Sequence, residues 1–301
     1  MPRSSSVEAG HTAITVESMG TVISIRLGDA GGDADDADDV GSPHSNSRRA
    51  AARHAVAEVF RGWNERFSLY REESELSRVN RGALRLTQAG SQLRDCYALA
   101  LQWRDQTDGV FTPPRDDGAI DLSGIVKSLA IAQAGDALRR LGVRDWSVNA
   151  GGDILVDGDQ APGLNWSAAI VDPLDRQARL ATVPLRLPLR AVATSGSMER
   201  GEHIWTTLDG ALSPFRQVTV FGRDIVTADV LATAIIAGGQ AARRPGGQAA
   251  RRRWTAARMP SRSRCWLCCA TDRCWPRRAL GPLGRDPERR RGCLVASRGR
   301  A

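Results

Sequence analysis

Residues 121–153 read DLSGIVKSLAIAQAGDALRRLGVRDWSVNAGGD, a stretch that predicts a helix, a strand and a glycine turn in succession. Apolar residues at helical spacing predict a helix over 123–141, which ends at Gly142. Residues 146–148 predict a short strand that runs into Gly151 and Gly152. Adjacent glycines let backbone N–H groups approach an anion closely, and Asp153 offers an acceptor for a sugar or base. A plain hairpin turn over 149–153 is the alternative interpretation.

Lys127 is the only lysine among the 42 basic residues of the chain. It lies just inside the start of the predicted helix, where free backbone N–H groups and the helix dipole favour an anion. A compact ammonium strengthens such a site. The position therefore indicates a phosphate site, with one stray lysine in an arginine-biased sequence as the alternative.

Strands and helices follow one another through most of the chain. Residues 12–27 predict two strands with a break at Met19 and Gly20, and residues 28–47 predict a disordered acidic loop. Residues 68–80 have turn character. Helices are predicted over 48–66, 87–107 and 227–237, with Thr87 and Thr227 as N-caps of the last two. Further strands are predicted over 153–157, 166–171, 179–193 and 217–222.

The composition divides the chain near residue 239. Residues 1–239 carry a net charge of −6 and one cysteine, whereas residues 240–301 carry +14 and five cysteines. The first part is predicted to form one domain. No apolar run approaches the roughly 18 residues of a membrane span, and the N-terminus lacks the apolar segment of a signal peptide. We therefore expect a cytoplasmic protein.

The tail, 240–301, is predicted to be disordered or the product of a frameshift. It combines 17 Arg, five Cys, three Trp and five Pro without sustained helical or strand periodicity. Cys265 and Cys268 have zinc-ligand spacing but lack a spaced second pair, so zinc is not expected. A basic arm for nucleic acid is the functional alternative. It is not favoured, because no recognition fold accompanies the arginines.

Two further groups of residues have the chemistry of a site. Asp229 and Thr233 lie four residues apart on a predicted helix, so their oxygens share a face and suit Mg²⁺. The alternative is a dipole-favoured Asp beside a packed Thr. Ser195 and His203 combine a nucleophile with a base, but no G-x-S-x-G elbow is present, which favours a hydroxyl-rich substrate loop.

Eight segments, taken in order, resemble the ApbE family of FAD:protein FMN transferases over roughly residues 14–239. They are MGT (19–21), Tyr70 with SELSRVN (74–80), DGVF (108–111), DLSGIVK (121–127), VNAGGD (148–153), ATSG (193–196), HI (203–204) and DVLAT (229–233). The resemblance implies an α+β fold of the T-fold type, with mixed or antiparallel sheets, packed helices and an FAD cleft. It also implies Mg²⁺-dependent cleavage of the FAD diphosphate. FMN would pass to a Thr or Ser hydroxyl of an acceptor flavoprotein, and AMP would leave.

The resemblance assigns roles to matching positions. Asp229, Thr233 and the backbone carbonyl of Gly124 would hold Mg²⁺, and Lys127, His203 and Asp229 would be catalytic. The residues that would contact FAD or the acceptor are Met19, Tyr70, Asn149, Gly151, Gly152, Asp153, Thr194, Ser195 and Gly196.

The chain departs from the family pattern at several positions. Ser123, Val126 and Ser128 replace smaller residues of a Gly-Gly-Ile-Ala-Lys-Gly motif, and the larger Val126 and Ser128 are expected to narrow the phosphate approach. Thr112 replaces an acid, and Thr206 with Thr207 replaces an Asp-Pro pair. These changes bear on rate and acceptor choice. An FAD diphosphatase that forms FMN and AMP, and an inactive FAD-binding protein, are the alternative functions.

Overall fold

The computed structural model describes residues 13–28, 43–115, 117–196, 215–238, 264–269 and 274–275. Its helices are α1 (Pro43–Phe67), α2 (Glu75–Asn80), α3 (Ser91–Gln106), α4 (Ser123–Arg140) and α5 (Ile225–Gly238). The first six strands are β1 (Ile14–Ser18), β2 (Thr21–Leu27), β3 (Trp146–Ala150), β4 (Asp153–Asp157), β5 (Ser167–Val171) and β6 (Arg179–Pro184). The last four are β7 (Ala191–Gly196), β8 (Phe215–Gly222), β9 (Arg264–Cys269) and β10 (Cys274–Trp275).

Eight strands form one antiparallel sheet in the order β1-β2-β3-β4-β7-β8-β9-β10. Helices α1, α4 and α5 pack together and against this sheet. The β5–β6 hairpin packs on strands β4, β7 and β8 through Trp166, Ile170 and Leu185. Because Leu155 belongs to the helix-side core and Val156 to the hairpin-side core, successive residues of β4 face opposite layers. The α+β fold expected from the resemblance is confirmed.

Helix α4 and strand β3 pack closely because Gly135 has no side chain. A Cβ atom at Gly135 would lie 2.5 Å from Cη2 of Trp146, which is fully buried. The Arg139 guanidinium lies 5.2 Å from the centre of the same indole ring. The helix and strand predicted within 121–153 thus pack directly against each other. This contact fixes how α4 lies on the sheet, and so where α4 starts.

Two tight hairpin turns connect neighbouring strands. The β1–β2 turn has φ of 53° at Met19 and 69° at Gly20, and the β3–β4 turn has φ of 60° at Gly151 and 89° at Gly152. Two central residues with positive φ are what a type I′ hairpin turn requires. Residues 149–153 therefore form a hairpin turn, and the predicted break at Met19 and Gly20 is confirmed; the anion-binding role predicted for the glycine pair stays a prediction.

Several predicted boundaries were wrong. Helix α1 begins at Pro43, so residues 43–47 are helical and not part of the predicted loop. Helix α3 begins at Ser91 after a separate 3₁₀ turn at Leu86–Gln88, which excludes Thr87 as its N-cap. Residues 75–80 form α2, where only turns were expected. Asp224 accepts the Thr227 N–H at 2.8 Å, so Asp224 and not Thr227 caps α5.

The predicted strand over 179–193 is two strands in different sheets, β6 and β7. Pro184 is the last residue of β6, and Pro188 lies between β6 and β7. Proline has no N–H and cannot donate a hydrogen bond to a sheet ladder.

In the tail, the structure differs from the prediction of disorder at 264–269 and 274–275. These residues add β9 and β10 beyond β8, whose edge would otherwise offer unpaired backbone groups. Among the described residues, no helix combines the length and apolarity needed to cross a bilayer.

Candidate active site

Most of the predicted site residues lie at one end of the large sheet. Ile23 pairs with Ala150, which places the β1–β2 and β3–β4 turns side by side. Strand β7 runs toward the same end, because it is antiparallel to β4 with Ile154 opposite Val192. The structure therefore brings Met19, the glycine pair and the segment 194–196 to one region, as the sequence predicted.

Lys127 reaches this end from the second turn of α4. Its Nζ lies 2.5 Å from Oδ2 of Asp153, and only 9% of its side chain is exposed. Lys127 is thus not a stray surface lysine, because its ammonium is held by a specific carboxylate. The pair joins the start of α4 to the first residue of β4.

The Asp153 side chain is fully buried. Its Oδ1 accepts the backbone N–H of Thr194 at 2.9 Å, and its Oδ2 faces Lys127. The carboxylate thus contacts Lys127 and Thr194 within the protein. The role expected from the resemblance, in which Asp153 lines the FAD site, stays a prediction.

Two of the three predicted metal-binding positions, Gly124 and Thr233, meet where two helices contact each other. A Cβ at Gly124 would lie 3.6 Å from the Thr233 methyl carbon, so the start of α4 contacts α5 at this point. Asp229 lies one helical turn before Thr233 and is 5% exposed. The sequence predicted this grouping from spacing and family likeness, and the contact between Gly124 and Thr233 supports it.

The chemistry of these groups fits Mg²⁺. A carboxylate, a hydroxyl and a carbonyl supply hard oxygen donors, and Mg²⁺ commonly uses one or two carboxylates together with water and substrate phosphates. Across the part of the chain that the structure describes, no cluster of three or more His, Cys, Asp or Glu side chains could hold a metal ion. A site here would accordingly depend on Asp229 as its carboxylate, completed by neutral oxygens.

Hydroxyl groups connect β7 to its neighbours. Ser195 Oγ lies 3.2 Å from Thr233 Oγ1, and Thr194 Oγ1 lies 3.0 Å from Thr219 Oγ1 on β8. In each pair either oxygen can donate, because a hydroxyl is both donor and acceptor. Ser195 meets a helix hydroxyl here. His203 lies outside the described residues, so the preference for a hydroxyl-rich substrate segment over a Ser–His pair stays a prediction.

The two turns also carry predicted site residues. Asn149 Oδ1 accepts the Gly152 N–H at 3.0 Å, which holds the β3–β4 turn in shape. A Cβ at Gly151 would lie 2.8 Å from Thr21 Oγ1, so the two turns pack closely. Met19 keeps a left-handed backbone conformation that non-glycine residues seldom adopt, and such conformations concentrate at functional sites.

Among the described residues of the predicted site, Tyr70 is not brought to this group. Tyr70 lies on the loop after α1 with 93% of its surface exposed, and no described contact links it to the site. His203 lies outside the described residues, as do Thr206 and Thr207. The roles of all four stay predictions.

The residues that depart from the family pattern lie in different surroundings. Val126 is part of the helix-side core, and Ser128 is fully buried with its hydroxyl donating to the Ile125 carbonyl at 2.9 Å. Thr112 is exposed. Val126 and Ser128 are therefore part of the packing of α4, and their predicted effect on the phosphate approach stays a prediction.

Sequence reasoning missed the residues that anchor the start of α4. Asn80 donates through Nδ2 to the Ile120 carbonyl and accepts the Ile120 N–H through Oδ1, each at 2.9 Å. Phe111 packs under Gly124, where a Cβ would lie 2.9 Å from its ring. Both residues belong to quoted motifs, SELSRVN and DGVF, so the signal was their position within those motifs. Their function is to fix the loop and helix start that carry Gly124 and Lys127.

The fold and the site define an α+β protein with a buried Lys127–Asp153 ion pair and a group of oxygen-bearing side chains at one end of its large sheet. The sequence model of the ApbE family matches residues 19–115 and 113–245. The chain therefore belongs to the ApbE family. The match reaches residue 245, slightly beyond the predicted domain boundary.

Individual relatives support the same placement. The FAD:protein FMN transferase of Haemophilus influenzae is 27% identical over 131 residues, covering 40% of this chain and 38% of that protein. The chain thus matches well under half of that relative's length. The flavin transferase ApbE of Vibrio cholerae superposes with a TM-score of 0.61 at 20% identity, covering 87% of this chain and 94% of that one. The ApbE protein of Thermotoga maritima gives 0.61 at 17% identity, covering 85% and 93%. These two structures show the shared fold.

Proposed function

We propose that this protein is a Mg²⁺-dependent FAD:protein FMN transferase. It would move FMN from FAD to a Thr or Ser hydroxyl of an acceptor flavoprotein and release AMP. The observation that carries the proposal is the contact of Gly124 on α4 with Thr233 on α5, one turn from Asp229 and close to the Lys127 end of the sheet. Family membership and the name of the Haemophilus influenzae relative agree with it.

The reaction exchanges one phosphorus–oxygen bond for another. The acceptor hydroxyl oxygen forms a bond to the phosphorus on the FMN side of the diphosphate. The bond from that phosphorus to the bridging oxygen breaks, and AMP leaves with the bridging oxygen and the electron pair. The hydroxyl proton passes to a base, for which His203 is the residue predicted from the sequence.

Such a reaction depends mostly on positioning and charge neutralisation. Gly124, Asp229 and Thr233 would hold Mg²⁺, which when bound supplies charge neutralisation at the diphosphate. Lys127 contributes a second positive charge beside the helix N-terminus, whose backbone N–H groups favour phosphate. Asp153 keeps the ammonium in place, and Ser195 hydrogen bonds with the Thr233 hydroxyl.

The deciding experiment is incubation of the full chain with FAD, MgCl₂ and an acceptor flavoprotein domain, followed by product analysis. The proposal expects AMP by chromatography and covalent flavin fluorescence on the acceptor in a denaturing gel. Free FMN with AMP but no covalent flavin would instead identify an FAD diphosphatase. FAD binding without AMP would identify an FAD-binding protein.

The proposed reaction specifies the acceptor only as a flavoprotein with a Thr or Ser hydroxyl at the attachment site. The cytoplasmic location expected from the sequence and the division of the chain at residue 239 stay predictions.

A further inference from the structure

A buried carboxylate connects the two sides of the candidate site. Asp153 is fully buried, and its two oxygens face different elements: Oδ2 meets the Lys127 ammonium at 2.5 Å, and Oδ1 accepts the Thr194 N–H at 2.9 Å. One side chain therefore links helix α4 to strand β7. Thr194 precedes Ser195, which in turn meets Thr233 on α5.

The ion pair is not explained by stability alone. Taking a carboxylate and an ammonium out of water costs free energy that their attraction often fails to recover, so apolar residues of similar size frequently serve a core equally well. An ammonium also has three N–H donors in all. When one of them faces Asp153, two remain for another acceptor at the small exposed part of the Lys127 side chain.

We infer that Asp153 is a positioning residue, which holds the Lys127 ammonium and the 194–196 strand end in register for a diphosphate substrate and does not itself contact FAD. The inference rests on the proposed function. It assigns to Asp153 an indirect role in place of the flavin contact expected from the sequence. Loss of the Asp153 carboxylate would leave FAD binding largely intact. It would misplace the Lys127 ammonium, whose charge acts on the diphosphate.

The same strand offers a matched control. Asp157, four residues after Asp153 on β4, forms an ion pair with Arg139 of α4 at 2.6 Å. Both pairs thus join the same strand to the same helix, but the Asp157 pair lies at the opposite end of β4 from the site. Asp157→Asn removes a carboxylate of the same kind without disturbing Lys127.

A spectroscopic test is available because Lys127 is the only lysine. Lysine-selective ¹⁵N labelling gives a single side-chain ammonium signal. We expect this signal in wild type and in Asp157→Asn, and expect it to shift or broaden in Asp153→Asn. Addition of inorganic pyrophosphate as the probe should shift the signal in wild type and in Asp157→Asn but not in Asp153→Asn. An unchanged signal in Asp153→Asn, or an equal response to pyrophosphate in wild type and in Asp153→Asn, would overturn the inference.

Kinetics of AMP release separate positioning from FAD binding. Misplacement of a catalytic group by about 1 Å can cost about 100-fold in rate, so Asp153→Asn should lower kcat by about that factor with KM for FAD nearly unchanged. Asp157→Asn should retain wild-type kcat. A raised KM with unchanged kcat would show that Asp153 binds FAD directly and would overturn the inference.

If Asp153→Asn does not fold, Asp153→Glu keeps the charge but moves it by one methylene. It should fold, shift the lysine signal and lower kcat, whereas a wild-type signal and wild-type kcat would refute the inference. If the wild-type protein releases no AMP, the proposed function fails. The lysine signal and its response to pyrophosphate still decide whether Asp153 positions the ammonium.

Discussion

Ser195 Oγ and Thr233 Oγ1 lie 3.2 Å apart, and this contact joins strand β7 to helix α5 at the candidate site. The two residues are 38 positions apart in the chain. The contact fixes the Thr233 hydroxyl, which shares a helix face with the Asp229 carboxylate.

Asp229→Ala should abolish Mg²⁺-dependent release of AMP from FAD. Removal of the carboxylate takes away the charged ligand of the proposed cation, which should cost several kcal/mol of transition-state stabilisation, about 100-fold or more in rate. The measurement is AMP release over a range of MgCl₂ concentrations, together with the Mg²⁺-induced change in Tm.

Asp224→Ala is the matched control for Asp229 on the same helix. Asp224 caps α5 through the Thr227 N–H, so its loss should cost about 1 kcal/mol of stability while turnover persists. Wild-type AMP release by Asp229→Ala would show that the metal assignment is wrong.

Lys127→Arg should impair turnover although it keeps the positive charge. The guanidinium is larger and planar, and the site is nearly closed, with the Asp153 carboxylate 2.5 Å from Nζ. The measurement is kcat for AMP release, with circular dichroism as the folding check. Full activity of the arginine variant would show that the site needs only a charge.

Gly124→Ala should destabilise the protein by about 1–3 kcal/mol, because a Cβ would lie 2.9 Å from the buried Phe111 ring. Gly62 in α1 is the control, since a Cβ there has nothing within 4 Å. Gly62→Ala should stabilise the helix by about 0.5–1 kcal/mol. Urea unfolding of both variants checks the pair, and equal effects of the two substitutions would contradict the packing at Gly124.

Cys96 should resist alkylation in the native protein at pH 8. Burial raises the pKa of its thiol to about 12, so almost no reactive thiolate forms. Peptide mapping after iodoacetamide treatment, with and without denaturant, measures labelling at this residue. Native labelling as fast as in denaturant would contradict the buried thiol.

The same thiol predicts a pH dependence of stability. The folded-state pKa is raised, so the contribution of the neutral thiol is complete below the ordinary value of 9.0. It is lost as the pH rises toward 12, because only the unfolded chain releases the proton. Between pH 9 and 11, the free energy of unfolding should therefore fall more steeply in wild type than in Cys96→Ala.

Residues 240–301 remain predicted to be a frameshifted translation. The charge changes from −6 before residue 240 to +14 after it, and the family match ends at residue 245. Resequencing beyond the codon for Gly239 should reveal a shifted frame, and limited proteolysis should remove most of the tail before the body. The strands at 264–269 and 274–275 give the competing expectation that this segment resists the protease. An intact reading frame would support that expectation.

The sequence by itself determined the features that depend only on residues close to one another in the sequence. Helical spacing and Gly142 predicted the bounds of α4 to within one residue. The glycine pair predicted the β3–β4 turn. Both were possible because periodicity and positive φ are local properties. The order of motifs also indicated the family and the grouping of Asp229 with Thr233.

Only the tertiary structure decided how distant residues meet. Asp153 is buried between Lys127 and Thr194, and Phe111 lies under Gly124, although none of these contacts has a local signal. The prolines of 179–193 mark a break in the predicted strand, but only the structure shows that β6 and β7 belong to different sheets. Burial and pairing of charges arise from the layering of helices on the sheet, so only the fold shows that the Asp153 carboxylate is buried against the Lys127 ammonium.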